Sequence, residues 1–193
     1  MTSDQGYALF ETSIGWCGLV WGVAGLIGIW LPEADRESTR RQLARRHPAA
    51  PEIEPPPAAR AAIKAITALL AGEPRDLGFV DLDLTRVGDF EARVYAVART
   101  IPPGATLTYG EVAGRLGDRT LARAVGQALG RNPWPIVVPC HRVLAADGRA
   151  GGFSAPGGLQ TKARMLSIER AQVGGAPGLF DDLPLSVRPR RPS

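Results

Sequence analysis

From Thr12 to Pro32 the chain carries no charged side chain, and this limits how it can begin to fold. The stretch is about as long as a membrane-spanning helix, which needs roughly 20 apolar residues. Gly15, Gly18, Gly22, Gly25 and Gly28 interrupt it, and no basic residue precedes it as a secretory signal would require. Short apolar runs divided by glycines predict strands instead: Tyr7 to Thr12, Cys17 to Val23 and Leu26 to Trp30, with Ser13-Ile14-Gly15 as the first turn. A helix is expected over Ala34 to Arg46, with Arg40, Arg41, Arg45 and Arg46 on a solvated face. Pro51 to Pro57 holds four prolines and reads as an irregular connector. The helix expected next, Ala58 to Ala71, places Ile63, Ile66, Leu69 and Leu70 on one stripe. Nothing in this first half groups chemistry-bearing side chains, so structural support is its expected role.

The second half differs in charge. Residues 1–86 hold 9 basic and 11 acidic side chains, and residues 87–193 hold 14 and 8. A net positive half suits either a plain solvated surface or an anionic partner such as nucleic acid. A helical stripe of Phe90, Val94, Tyr95, Val97 and Ala98 ends at Ile101-Pro102-Pro103-Gly104. Thr108 and Glu111 have the spacing of a capping box and open a helix to about Leu116. Gly117-Asp118 forms a turn, and a second helix is expected from Thr120 to Leu129. Two short helices joined by a glycine turn read as a helix-turn-helix. The second helix is lined with small residues, Ala122, Ala124, Gly126 and Ala128, with Arg123 projecting. Such a surface admits close approach by another helix or by a DNA groove.

The chain has two cysteines, Cys17 and Cys140, and two histidines, His47 and His141. Their scarcity argues against a disulfide framework, and a four-ligand zinc site would have to use all of them at once. A free thiol implies a reducing, cytoplasmic setting. Cys140 lies in Asn132-Pro133-Trp134-Pro135-Ile136-Val137-Val138-Pro139-Cys140-His141-Arg142-Val143. Ile136 to Val138 is a β-branched run expected to be a buried strand or extended segment, broken by Pro139 just before the cysteine. A buried thiol is ordinarily inert, whereas a base or cation beside it, here His141 and Arg142, favours the thiolate.

These residues resemble the O6-alkylguanine-DNA alkyltransferases, or methylated-DNA–protein-cysteine methyltransferases. The resemblance runs from about Phe90 to Arg170 and centres on Arg123-Ala124-Val125-Gly126, Asn132-Pro133 and Pro139-Cys140-His141-Arg142-Val143. It implies an α+β fold: a small N-terminal sheet-plus-helix (RNase H-like) domain over residues 1–86, then a mainly helical, winged-helix-like DNA-binding domain over residues 87–172. Residues 173–193, with Arg188, Arg190 and Arg191, lie beyond the resemblance in a Gly- and Pro-rich ending and read as a flexible tail. The implied activity is single-turnover transfer of the alkyl group from O6-alkylguanine in duplex DNA to Cys140, with O4-alkylthymine as an open second lesion class. His141 would act as base through a bridging water, because neighbours on an extended segment point to opposite faces. Glu169 would orient His141, Asn132 would hold the turn before the active-site segment, and Tyr109 would crowd the phosphate and donate a proton. Arg123 would fill the gap left by the flipped base, with Ala122, Gly126 and Ala128 against the minor groove. Val143, Ser154, Pro135 and Phe153 would bind the alkylguanine. The resemblance implies no metal and no cofactor, a monomer, and no membrane.

Two departures bear on substrate range. Ala155-Pro156 reads as an insertion in Gly151-Gly152-Phe153-Ser154-Ala155-Pro156-Gly157-Gly158, and Phe153 stands where the family frequently has tyrosine. The rival reading, a non-catalytic binder of alkylated bases, is disfavoured because such proteins lack the cysteine that this chain has. A thiol hydrolase is disfavoured because adjacent Cys140 and His141 form an awkward dyad.

Overall fold

The computed structural model describes residues 5–146 and 157–171. The uncharged stretch folds as antiparallel strands, β1 (Gly6–Thr12), β2 (Gly15–Gly22) and β3 (Gly25–Trp30), in the order β1-β2-β3. No helix among the described residues is long and apolar enough to cross a membrane. Alternation puts Phe10, Cys17, Leu19, Trp21 and Ile29 into the main core, while Tyr7 and Val20 pack with Leu43 on the opposite face. The first face meets helix α2 (Pro57–Leu70) and the second meets α1 (Arg36–Arg46). Asp35 caps α1 through the Ser38 amide.

The proline-rich connector is more ordered than its composition suggests. Tyr7 N–H donates to Pro51 O and Ile53 N–H donates to Tyr7 O, adding one parallel bridge to β1. Pro57 then occupies the first turn of α2, where its fixed φ suits a helix and its missing N–H costs nothing. Ala59, Ala62, Ile66, Leu69 and Leu70 form the buried stripe, and Ile63 lies at its margin. Each large apolar side chain so buried contributes about 1.5–3 kcal/mol.

Beyond a 3-10 turn at Leu84–Arg86, α3 (Asp89–Arg99) carries Val94, Tyr95 and Ala98 into the same core. A short strand β4 (Leu107–Thr108) leads into α4 (Tyr109–Arg115), where the capping box is present: Glu111 N–H donates to Thr108 Oγ1 and Thr108 N–H donates to Glu111 Oε2. The second helix starts later than expected. Residues Arg119–Leu121 form a 3-10 turn capped by Asp118, and α5 spans Ala122–Gly130. Strand β5 (Val143–Leu144) pairs in parallel with β4, and α6 (Gly158–Ile168) closes the described structure.

The two halves are joined at β3. Ile29 N–H donates to Pro133 O at 2.8 Å, and Trp134 Nε1 donates to Leu26 O at 2.7 Å. Gly28 permits this approach, since a Cβ there would meet the Trp30 ring at 2.5 Å and Pro133 O at 3.3 Å. Trp134 is buried and lies edge-on to Tyr95 with centroids 5.9 Å apart. Trp134→Phe should therefore cost about 1–3 kcal/mol through the lost hydrogen bond and the smaller ring. A lower denaturation midpoint with an unchanged slope is the expected result; an unaltered midpoint would remove this joint from the account.

Candidate active site

Asn132 closes the turn that precedes the cysteine. Its Nδ2 donates to Val138 O and its Oδ1 accepts from Trp134 N–H, both at 2.9 Å. Val138 N–H donates to Trp134 O at 2.8 Å, so the run from Ile136 to Val138 is a buried turn and not the expected strand. The reason lies in its flanks. Pro135 and Pro139 have no N–H for a ladder, and the Asn132 amide bonds the backbone internally instead. Ile136 is held at φ 79, a conformation that costs a β-branched residue on the order of 1–3 kcal/mol.

Pro139, at φ −79 and ψ 65, turns the chain again, with Cys140 N–H donating to Val138 O at 2.8 Å. Residues Cys140–Arg142 form a 3-10 turn. The extended geometry expected for Cys140 and His141 is thus corrected. Successive side chains stand about 120° apart on such a turn. Cys140 is half-buried and faces an open cavity of about 1230 Å³, whose lining includes Tyr109, Gly126, Asn132 and Pro135. His141 points inward and is buried.

Glu169, just past α6, receives His141 Nε2 at 3.0 Å. Arg142 grips the same carboxylate in bidentate fashion, Nε to Oε2 at 2.8 Å and Nη2 to Oε1 at 2.7 Å, and donates Nη1 to Ile101 O. Burial would push Glu169 up, but the hydrogen bonds and charges of His141 and Arg142 outweigh it and bring the carboxyl to about 2. An ionised Glu169 can only accept, so Nε2 carries the hydrogen and Nδ1 is the basic nitrogen. Burial lowers the His141 pKa, with Glu169 opposing, so the ring rests neutral at physiological pH. Nδ1 is buried and has no protein hydrogen-bond partner among the described residues.

The thiol itself departs from the sequence expectation. Burial raises the Cys140 pKa, against the opposing effects of Asn132, Lys162 and the amides of Cys140 and His141. Arg142 is not its cation, because its guanidinium is bound to Glu169. The charge acting on the thiol is that of Lys162, which sequence reasoning missed. Its signal was its place three and four residues before Met165 and Leu166, on the buried stripe of α6. The other cysteine, Cys17, lies in the core with its pKa pushed up to about 12 by burial, as an inert packing residue should be.

On the helix-turn-helix, Arg123 is exposed with no hydrogen bond or ion pair among the described residues, and Ala122 and Gly126 are half-buried. A Cβ on Gly126 would stand 3.7 Å from the Tyr109 ring, an ordinary contact, so packing inside the protein does not demand glycine there. Ala128 is a correction. It is fully buried beside Val125 and Leu129, and its carbonyl accepts from the Tyr95 hydroxyl, so it cannot face a groove. Tyr109, the first residue of α4, lies beside the cavity with its pKa raised by burial and by Cys140. Pro135 and Val143 are buried at the site, the latter accepting from Lys162 Nζ. Phe153, Ser154, the Ala155-Pro156 insertion and the tail from residue 173 lie outside the described residues.

A family model described as the DNA-binding domain of 6-O-methylguanine DNA methyltransferase matches residues 89–171. The methylated-DNA–protein-cysteine methyltransferase of Methanothermobacter thermautotrophicus is 36% identical over 158 residues, covering 82% of this chain and 81% of that protein. The Mycolicibacterium paratuberculosis protein of the same description is 43% identical over 128 residues, covering 66% and 75%. A crystal structure of the Mycobacterium tuberculosis protein in complex with DNA superposes with a TM-score of 0.66 at 33% identity, covering 86% of this chain and 92% of that one. With this cysteine, histidine and glutamate arranged behind a helix-turn-helix, the chain belongs to the methylated-DNA–protein-cysteine methyltransferase family.

Proposed function

We propose that this protein repairs alkylated DNA by moving the alkyl group from guanine O6 to Cys140, where it stays as a thioether. The observation that carries the reading is the hydrogen-bonded pair Glu169–His141, which leaves a buried Nδ1 with no protein partner among the described residues, directly after a half-buried thiol in the cavity wall. His141 takes the thiol proton through a water, Glu169 steadies the imidazolium, and the sulfur attacks the alkyl carbon. The carbon–O6 bond breaks with its electron pair going to the guanine. The Tyr109 phenol, held neutral by its raised pKa, supplies a proton to the departing base, and the proton taken up by His141 returns to the phenol oxygen. Asn132 keeps the turn in register by its two backbone hydrogen bonds.

The base must leave the duplex to reach this thiol, at a cost of about a few kcal/mol. We assign the exposed Arg123 to the vacated space and the half-buried Ala122 and Gly126 to the minor-groove face of α5. Residues 87–172 would form the DNA-binding and catalytic unit, working as a monomer in a reducing, cytoplasmic compartment that keeps both cysteines free. A methyl titration with an O6-methylguanine duplex should end at one equivalent per protein; continued turnover would overturn the thioether end point. Arg123→Ala should slow transfer from the duplex by about tenfold or more while barely changing reaction with free benzylguanine. Equal losses on both substrates would remove the flipping role.

A further inference from the structure

Among the described residues Trp134 is the largest fully buried side chain, and it stands six residues before Cys140. Its carbonyl accepts from Val138 N–H at 2.8 Å, and its own N–H donates to Asn132 Oδ1 at 2.9 Å. Val138 O in turn accepts from Asn132 Nδ2 and from Cys140 N–H. The turn that presents the thiol is therefore a closed hydrogen-bonded unit with Trp134 at its entry. Within it the backbone is poorly held by regular structure. Pro135 and Pro139 offer no N–H, and Ile136 sits at φ 79, a conformation that persists only where its surroundings over-determine it.

The indole ties this unit to both halves of the molecule. Nε1 donates to Leu26 O on β3 at 2.7 Å, and Ile29 N–H donates to Pro133 O at 2.8 Å beside it. The ring lies edge-on to Tyr95 of α3, whose hydroxyl donates to Ala128 O of α5 at 3.0 Å. Trp134, Asn132, Pro135 and Cys140 line the same cavity. An aliphatic side chain could fill this volume with no donor to satisfy. Leu26 O already accepts from Asp83 N–H at 2.8 Å, so the carbonyl does not need the indole. What the second hydrogen bond adds is direction, which fixes where the ring lies along β3.

We infer that Trp134 is a positioning residue for alkyl transfer: pinned to Leu26 O and set against Tyr95, it holds the strained turn so that the Cys140 sulfur stands in line with the alkyl carbon. The inference rests on Cys140 being the alkyl acceptor. It gives the N-terminal sheet a part in the rate of reaction, beyond the supporting role expected from its sequence. Displacement at carbon tolerates little misplacement, and a shift of about 1 Å can cost on the order of a hundredfold.

A tryptophan that only packs and one that positions differ in their effect on protein that is fully folded. Single-turnover transfer from free benzylguanine, which needs no duplex, separates the saturating rate from the half-saturating concentration. Measured well below the melting temperature, Trp134→Phe should lower the saturating rate by about tenfold or more and leave the half-saturating concentration within about twofold. Leu43→Ala, in the small cluster on the other face of the sheet, supplies the comparison. Its melting temperature should fall while its saturating rate stays within about twofold of wild type. Should Trp134→Phe fold poorly, a benzothiophene in place of the indole removes the Nε1 donor and keeps the shape. That protein should lose about threefold or more in the saturating rate alone. A wild-type saturating rate in either folded protein altered at Trp134, or an equal loss in Leu43→Ala, would overturn the positioning role. If wild type places no alkyl group on Cys140, the acceptor reading falls and this inference with it. If Cys140 is alkylated and the folded Trp134 variants keep pace, the positioning alone falls.

Discussion

Replacing Cys140 with alanine should abolish alkyl transfer and leave duplex binding within about twofold of wild type, a change worth less than 1 kcal/mol. The separation follows from position. Cys140 sits on its own 3-10 turn at the cavity, whereas the face assigned to DNA is carried by α5 and Arg123. Fold should survive as well. The turn is held by Asn132, Trp134 and Arg142, and none of these hydrogen bonds uses the sulfur as an essential partner. Transfer should fall to background with serine too, because the neighbours that assist a thiolate cannot ionise a hydroxyl at neutral pH. Methyl transfer measured beside a gel-shift titration checks both halves. Residual stoichiometric transfer in Cys140→Ala would place the acceptor elsewhere.

Glu169→Gln should give the largest loss of stability among single substitutions at the site. Removing one charge of a buried pair leaves the other uncompensated, and such losses are about 3–5 kcal/mol. Here the stranded group is Arg142, whose two hydrogen bonds to the carboxylate would become one to an amide oxygen. For a chain of this size the melting temperature should drop by roughly 10 °C. Transfer should slow by at least about tenfold, because the Nε2 tautomer of His141 loses the anion that selects it and steadies its charged form. The pH dependence carries a sign. Folding lowers Glu169 from its ordinary 4.5 to about 2. The folded carboxylate therefore adds stability that is complete above the ordinary value and lost as pH falls through the interval toward 2. This interval corresponds to about 3 kcal/mol, in agreement with the mutational expectation. Thermal melts across that range should show a steep acid limb in wild type and a shallower one in Glu169→Gln. Parallel limbs would mean that Glu169 is not the group responsible.

The sheet and most helices were legible in the sequence because their causes are local. Glycine spacing marks β1 to β3, the Thr108 and Glu111 pair marks α4, and apolar period marks α2 and α3. Cys140 was legible because a Pro-Cys-His-Arg run is distinctive. What escaped depends on partners distant in sequence. Asn132 closes a turn six residues ahead through its side chain, so the apolar run Ile136 to Val138 imitated a strand. Arg142 could be assigned to the thiol only until Glu169, 27 residues away, was seen to bind it. Lys162 carries charge on a buried stripe, which becomes intelligible once the thiol lies within reach of its field. Ala128 was misplaced for a simpler reason. Val125, Ala128 and Leu129 form an i, i+3, i+4 stripe, which points inward, and small size alone does not say which face a residue occupies.

The central claim is that Cys140 becomes the alkyl carrier. Wild-type protein should be incubated with duplex DNA containing O6-methylguanine, digested, and its peptides weighed. The account predicts one added methyl mass on the peptide bearing Cys140, an unmodified peptide bearing Cys17, and guanine restored in the duplex. A folded protein that binds the duplex yet leaves the Cys140 peptide unmodified beside intact lesion would contradict it.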